Sequence, residues 1–126
     1  MIKFFAKNFD VLVTAAGQSI KKTFELDKSV KTILRYTLLS NREDLMYYRG
    51  AFGLDINKDE VIEEGYSVKL IMCWASVAAD LRLKSMGRKE AGNGLINFQY
   101  TDTSDGLTVF QPYTVTLHLE GERVED

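Results

Sequence analysis

The sequence of 126 residues is 45% apolar and 27% charged, which are ordinary proportions for a globular protein. This length suits one domain, predicted over residues 1–126, with a core large enough to need no disulfide or metal. The formal net charge of −2 argues against a dedicated nucleic-acid binder, because such proteins usually carry an excess of lysine and arginine.

The single cysteine and the single histidine limit the possible sites. Cys73 lies in an apolar run and is predicted to be a buried thiol, and no disulfide can form within the chain. With His118 as the only histidine, a Cys/His zinc site within one chain is excluded. No apolar run approaches the ~20 residues of a membrane helix, and the first apolar block is too short for a signal peptide. We therefore expect cytoplasmic production and assembly.

Apolar residues that recur with a period of two predict β-strands along most of the chain. The first candidate strands are residues 9–14 and residues 19–26, and the second of these has one polar face. Residues 30–39 are rich in β-branched and aromatic side chains and should form the third strand. Simple alternation places one set of its residues on a common face: Val30, Thr32, Leu34, Tyr36 and Leu38.

The middle of the chain gives less regular patterns. Residues 46–56 are predicted as a strand, and a single helical turn at 43–49 or at 59–64 is the alternative. Residues 66–77 are apolar on both faces and predict a central strand, or one that is covered by a loop or a neighbouring subunit. Shorter strands are expected near residues 81–86 and 107–110.

The clearest alternation lies at residues 95–100 and 113–120, which predict strands with one buried and one polar face. Turn-forming residues separate the predicted strands, at residues 40–44, 57–60, 87–94 and 101–106. About eight or nine strands with this spacing favour an all-β fold, an antiparallel two-sheet sandwich. A jelly roll is the first choice of topology and an immunoglobulin-like sandwich the second.

No motif predicts catalysis, a cofactor or a metal. The acidic residues 59–64 lack the spacing of a calcium loop and are predicted to be a solvated loop. Asp102 and Asp105 are interpreted as turn residues, and His118 as an exposed side chain on the polar face of the last strand. The Gly92-Asn93-Gly94 segment is followed by strand-forming residues, so a tight turn is preferred to a phosphate loop. The chain is therefore not expected to be an enzyme.

Four residues stand out as candidates for an interface or a ligand site: Tyr47, Tyr48, Arg49 and Phe52. Adjacent tyrosines on a strand would point to opposite faces, so one of them should stand outside the core beside Arg49. Tyrosine and arginine concentrate where interfaces bind most strongly. The alternative interpretation is ordinary aromatic packing within a strand.

The two ends of the chain carry opposite charge. Residues 1–35 hold seven Lys or Arg against three Asp or Glu, whereas residues 100–126 hold one against six. Either the first and last strands are neighbours in one sheet, which is the preferred interpretation, or basic and acidic surfaces meet between subunits.

The segments 40–50, 92–94 and 110–113, in a strand-rich chain of this size, resemble small single jelly-roll structural proteins of tailless icosahedral bacteriophages. The resemblance covers the whole chain as architecture and carries over no functional residue. It implies a vertex or minor capsid component that forms fivefold or threefold assemblies and contacts major capsid chains through its loops and termini.

Two functional hypotheses follow from the sequence. The first is a non-enzymatic structural protein that forms homo-oligomers or binds capsid proteins, located in the virion. The alternative is a carbohydrate-binding β-sandwich, in which Tyr47 or Tyr48, Arg49 and Trp74 would contact a glycan. An apolar run around Trp74 predicts that its side chain is buried, which weakens the alternative.

Overall fold

The computed structural model describes residues 2–68, 84–103 and 109–124. These residues form eight strands and one short helix. In chain order the elements are β1 (Ile2–Val13), β2 (Ser19–Glu25), β3 (Val30–Ser40), α1 (Glu43–Arg49), β4 (Gly50–Ile56), β5 (Asp59–Ser67), β6 (Lys84–Glu90), β7 (Leu95–Asp102) and β8 (Tyr113–Val124).

The strands form two antiparallel four-stranded sheets that pack face to face. Sheet I has the order β1-β8-β3-β6, and sheet II has the order β2-β7-β4-β5. The predicted all-β, two-sheet sandwich is therefore confirmed, and both strand orders are consistent with a jelly roll. No helix in the described part of the chain has the length and apolar character needed to cross a membrane.

The core lies between the sheets and is supplied by alternate residues of β7 and β8, as the sequence predicts. Each strand alternates strictly between buried and more exposed positions over most of its length. β8 is paired along both edges, with β1 on one side and β3 on the other, and its inward residues are fully buried. The buried side chains of these two strands are Ile96, Phe98, Tyr100, Tyr113, Val115, Leu117 and Leu119.

Strand β3 does not keep the simple alternation that the sequence predicts. Ile33 pairs with Gly121 and Arg35 with Glu120, so Leu34 is an extra residue opposite β8. A second register shift, between Val30 and Thr32, makes Lys31 an extra residue as well, and the two β-bulges change which residues of the strand face the core. Ile33 is completely buried, and Thr32, which was placed with the apolar face, is only partly buried.

The predicted strand at residues 46–56 is wrong in its first part, where α1 replaces it. The helical alternative at 43–49 is confirmed, and the strand β4 begins only at Gly50. Glu43 and Asp44 in the first turn and Arg49 in the last suit the helix dipole. A Cβ atom at position 50 would lie 2.5 Å from the Met46 carbonyl oxygen, so the junction of helix and strand requires glycine.

The acidic segment 59–64 is not the predicted solvated loop, and it is not a helical turn. It belongs to β5, which pairs with β4 through a hairpin. Asn57 and Lys58 turn the chain with φ values of 54° and 68°, as the tightest hairpins require. Val61 and Ile62 pack against the core and give the segment its burial.

Other boundaries differ from the prediction by several residues. β1 begins at Ile2 rather than near residue 9, and β6 extends through part of the predicted turn at 87–94. The tight turn at Gly92 and Gly94 is confirmed, with positive φ at both. Val109 and Phe110 are not in a strand. The rest of the 107–110 prediction, most of 66–77 with Cys73 and Trp74, and Asp105 lie outside the described residues.

Candidate functional site

The four residues predicted as an interface or ligand cluster do not share a surface. Tyr47 and Tyr48 lie on α1, where their rings meet edge to face at 4.9 Å, rather than on a strand. Tyr48 is exposed and Tyr47 is half-buried. Arg49 and Phe52 are buried in the described structure, at 3% and 1% exposure, so neither stands outside as predicted. The cluster fails as one binding surface because the chain changes from helix to strand at Gly50.

Arg49 instead forms a buried ion pair with Asp102, at the end of β7. Arg49 Nε donates to Asp102 Oδ1 at 3.0 Å, and Nη2 donates to Oδ2 at 2.9 Å. Gly17, in the turn between β1 and β2, donates its backbone N–H to Oδ2 at 3.0 Å. Tyr113, at the start of β8, donates its hydroxyl to Oδ1 at 2.7 Å. One carboxylate therefore joins four chain segments at one end of the sandwich.

The protonation states of this group follow from its contacts. Burial by itself raises the pKa of Asp102, but the hydrogen bonds from Arg49, Tyr113 and Gly17 outweigh it and lower the pKa below the usual value. Burial raises the pKa of Tyr113 and of Tyr100, whose hydroxyls lie 2.9 Å apart. Asp102 is therefore ionised and both tyrosines are neutral at physiological pH.

The contacts of this buried group suit a structural role, in which it holds neighbouring chain segments together. Both carboxylate oxygens of Asp102 already accept charge-assisted hydrogen bonds, and the side chain is fully buried. Sequence reasoning missed the pair because 53 residues separate Arg49 from Asp102, and neither lies in a recognisable motif. Only the fold brings them together.

His118 is not the exposed, isolated side chain that the sequence predicts. It lies on the outer face of sheet I, with 19% of its side chain exposed. Its Nε2 atom is 2.8 Å from Glu120 Oε2 and its Nδ1 atom is 2.5 Å from Asn8 Oδ1. Glu120 also forms an ion pair with Arg35 of β3. These contacts form a polar row across the three adjacent strands β1, β8 and β3.

The environment of Glu120 favours its charged form. Burial alone raises the pKa of this carboxyl, but the hydrogen bonds from His118 and Arg35 more than compensate, so the pKa lies below the usual value. The row holds charge in fixed positions on the outer face of sheet I. Among the described residues, no group of three or more His, Cys, Asp or Glu side chains is placed to hold a metal ion.

The exposed apolar residues concentrate on the same outer face of sheet I. Five of the eight large apolar side chains that are exposed in the described part of the chain lie there. They are Ile2, Phe4 and Leu12 on β1, Leu39 on β3 and Val124 on β8. Phe4 is 59% exposed and Leu12 is 57% exposed. The sequence did not indicate this surface, because the predicted first strand began at residue 9. The alternation of exposed and inner residues in β1 can be recognised only when the strand begins at Ile2.

Strand β1 is also the edge of sheet I. Its one pairing partner among the described residues is β8, so no other described strand bonds to the backbone N–H and C=O groups on its outer edge, along a strand of 12 residues. Short strands and outward lysines are common devices that block such edges. The edge strand β2 of sheet II follows that rule with seven residues and exposed Lys21 and Lys22. Strand β1 also carries two exposed lysines, Lys3 and Lys7, but both lie on the side of its inner face. We call the outer edge of β1, with Ile2, Phe4, Asn8 and Leu12, the β1 surface.

The outer face of sheet II carries a different feature, a shallow polar cleft of about 280 Å³. Gly53 lies in its floor, and polar side chains from β2, β4 and β7 form its walls. These side chains are Lys21, Thr23, Asp55, Asn97 and Gln99. Thr23 donates to Asn97 at 2.8 Å, which fixes one side of the cleft. Amide, hydroxyl and carboxylate groups of this kind suit a ligand rich in hydroxyl groups.

Comparison with known proteins assigns no family to the chain. No family model matches the sequence, and the searches of curated proteins and of solved structures each find no match.

Proposed function

We propose that the protein is a non-enzymatic structural subunit that assembles through the β1 surface. The observation that carries this proposal is a 12-residue edge strand whose outer face exposes Ile2, Phe4 and Leu12. Natural sandwiches usually protect such an edge, because its backbone groups and apolar side chains favour pairing with another strand. A strand of this length, whose outer face carries apolar side chains and none of its lysines, is explained by a second strand that covers it in the assembled state.

Energetics favour association through side chains as well as backbone. Fully burying a phenylalanine or leucine side chain contributes about 1.5–3 kcal/mol, before the entropic cost of association. Phe4 and Leu12 are both more than half exposed, so both have area to bury. Neither side chain fills the core of the subunit. Packing within one subunit therefore does not explain why apolar residues stand at these two positions.

We further propose a virion as the setting, with the protein as a vertex or minor capsid component made in the cytoplasm. The strand orders are consistent with a jelly roll, and capsid subunits are one class of proteins built on that fold. A capsid component must bind copies of itself or a major capsid chain, and the β1 surface offers the means to do so. Electron microscopy of purified virions, with antibody labelling of this chain, tests the setting, and an unlabelled virion contradicts it.

The experiment that tests assembly compares three untagged proteins by sedimentation velocity from low to high micromolar concentration. They are the wild type, the double variant Phe4→Lys with Leu12→Lys, and the control Val109→Lys. Val109 is 83% exposed and lies outside the strands, so the control also replaces an exposed apolar side chain with lysine, once rather than twice, away from β1.

We expect the wild type and the control to associate as concentration rises, and the double variant to remain monomeric with unchanged thermal stability. Lysine on an edge strand opposes pairing, and the replaced side chains add little to the subunit's own core. A wild type that is strictly monomeric at high micromolar concentration contradicts self-assembly. Equal association of all three proteins contradicts the assignment to β1.

Carbohydrate binding is the second candidate, now on a different surface from the one that the sequence suggested. The polar cleft on sheet II favours it, whereas the buried Arg49 cannot contact a glycan. A glycan array followed by titration of any hit tests this function, with Asn97→Ala as the cleft variant and Lys31→Gln, on sheet I, as the control. Binding that Asn97→Ala abolishes and Lys31→Gln retains supports the cleft, and an array without hits contradicts it.

A further inference from the structure

We infer that two copies of this chain pair antiparallel through β1, with Asn8 of one copy opposite Asn8 of the other. This inference rests on the proposed function, because it assigns both the occupant and the register of the β1 surface. The result is a two-fold dimer in which the two copies of sheet I form one continuous eight-stranded sheet.

The faces of β1 restrict the registers that such a dimer can adopt. Residues with even numbers lie on the outer face of β1, and Phe5, Phe9, Val11 and Val13 on the inner face pack against the core. A two-fold axis perpendicular to a continuous antiparallel sheet keeps outer faces on one side. Outer residues of one copy must therefore face outer residues of the other, because a shift by one residue would turn every side chain to the wrong face.

Among the registers that remain, the one centred on Asn8 pairs the exposed apolar residues. Phe4 of each copy then lies opposite Leu12 of the other, so that the two most exposed apolar side chains in the middle of β1 cover each other twice. Their exposed fractions in the single chain are 59% and 57%. Side chains that face each other directly across antiparallel strands are close enough for such contact.

Charge also favours this register over its neighbour. Centring the pair on Lys7 would place two lysines directly opposite each other at the axis, which is destabilising. With Asn8 at the centre, Lys7 lies opposite Phe9 and Asp10 lies opposite Ala6, so no like charges face each other. On the inner side, Phe5 then lies opposite Val11.

Asn8 is suited to the position on the axis. Its Oδ1 atom contacts the His118 ring at 2.5 Å, and its amide nitrogen carries two N–H donors. A polar residue at the centre of an otherwise apolar pairing can fix register, as a single asparagine does in coiled coils. The pair of copies would form one polar row, with the two His118 rings outermost and the two Asn8 amides between them.

Cysteine cross-linking tests the register directly, in a Cys73→Ser background first shown by sedimentation to associate as the wild type does. Opposed residues in an antiparallel pair have Cα atoms about 4.5–5.5 Å apart, within the range of a disulfide. Asn8→Cys should therefore form a disulfide-linked dimer rapidly in a mild glutathione redox buffer. Ala6→Cys or Asp10→Cys alone should not, because four residues along a strand separate each pair by roughly 14 Å.

A mixture of Ala6→Cys and Asp10→Cys proteins provides the matched positive control. These residues face each other in the inferred register, so the mixture should give a mixed dimer although neither protein cross-links alone. Faster self-linking of Lys7→Cys than of Asn8→Cys overturns the register. Association without any cross-link from β1 overturns the inference and leaves assembly through another surface, whereas a background protein that stays monomeric overturns the inference together with self-assembly.

Discussion

Asp102 stabilises one end of the sandwich, because its carboxylate accepts hydrogen bonds from Arg49, Tyr113 and the Gly17 backbone. Asp102→Asn keeps the size of the side chain but removes the carboxylate charge that faces the buried Arg49 guanidinium. Breaking a buried pair in this way costs about 3–5 kcal/mol. Urea unfolding of the variant should show a loss of that order.

The matched control for Asp102 is Glu25→Gln, which removes an exposed carboxylate from the edge strand β2. Surface changes of this kind usually alter the free energy of unfolding by no more than about 0.5 kcal/mol. A loss of less than about 1 kcal/mol for Asp102→Asn would show that the ion pair does not hold the sandwich end together.

Glu120 provides a prediction about pH. Its pKa is lower in the folded protein than its ordinary value, near 4.3 in an unfolded chain. The carboxylate therefore contributes stability above that ordinary value and loses the contribution as pH falls through its folded-state pKa. Unfolding free energies measured from pH 7 to pH 3 should fall less steeply for Glu120→Gln than for the wild type. Parallel pH profiles of the two proteins would contradict the assigned pKa shift.

At the scale of elements, the sequence predicts strands well where one face is buried and the other is polar. β7 and β8 meet that condition, and their alternation identifies the buried residues correctly. β3 fails because its bulges at Lys31 and Leu34 depend on pairing with β8, which lies far away in the sequence. The sequence left the helix α1 as an alternative to a strand. The end of the helix depends on the close approach of Gly50 to the Met46 carbonyl, which local sequence does not reveal.

The candidate surface was less predictable than the fold. Phe4 is on the surface and Phe5 packs against the core because the pairing of β1 with β8 assigns them to opposite faces, which the adjacent phenylalanines do not encode locally. The interface candidates Tyr47, Tyr48, Arg49 and Phe52 were chosen for residue type alone, and the packing of α1 against β4 separates them. Residue type predicts an interface poorly until burial is known.

Gly121 tests the contact between the central strands of sheet I. A Cβ atom at this position would lie 2.1 Å from the Thr32 carbonyl oxygen and 2.6 Å from Phe5 Cε1. Gly121→Ala must therefore displace β3 or β1 from β8, and we expect a loss of about 1–3 kcal/mol in unfolding free energy. Gly17→Ala is the informative comparison, because that site has open space and its strain comes from φ alone. Wild-type stability of Gly121→Ala would contradict the close approach.

For the whole molecule, the first and last strands are neighbours in one sheet, as the preferred interpretation of the sequence held. β1 pairs with β8 from Ile2 opposite Val124 to Val13 opposite Tyr113. Arg35 of the basic segment pairs with Glu120 of the acidic segment inside the subunit. Because Phe4 and Leu12 are the large exposed side chains in the middle of the β1 surface, association through it is expected to be apolar. Raising salt to ~0.5 M should leave association unchanged or strengthen it, whereas an ionic interface would weaken. Sedimentation at low and high salt distinguishes the two.

Deleting residues 121–126 should destabilise the subunit rather than act only on assembly. Residues 121–124 pair with β1 on one side, and residues 121–123 pair with β3 on the other, so both neighbours lose backbone partners. Thermal unfolding of the truncated protein should begin at a lower temperature than that of the intact chain. Unchanged stability would show that the end of β8 contributes little to sheet I.

Hydrogen exchange at several protein concentrations tests the central claim, that the outer edge of β1 is the assembly surface. In the single chain, half of the β1 amides bond to β8 and the others point to the outer edge. We expect the outward amides of β1 to become protected as concentration rises, while amides on the edge strand β2 keep their exchange rates. Association detected by sedimentation without any added protection of β1 would contradict the claim.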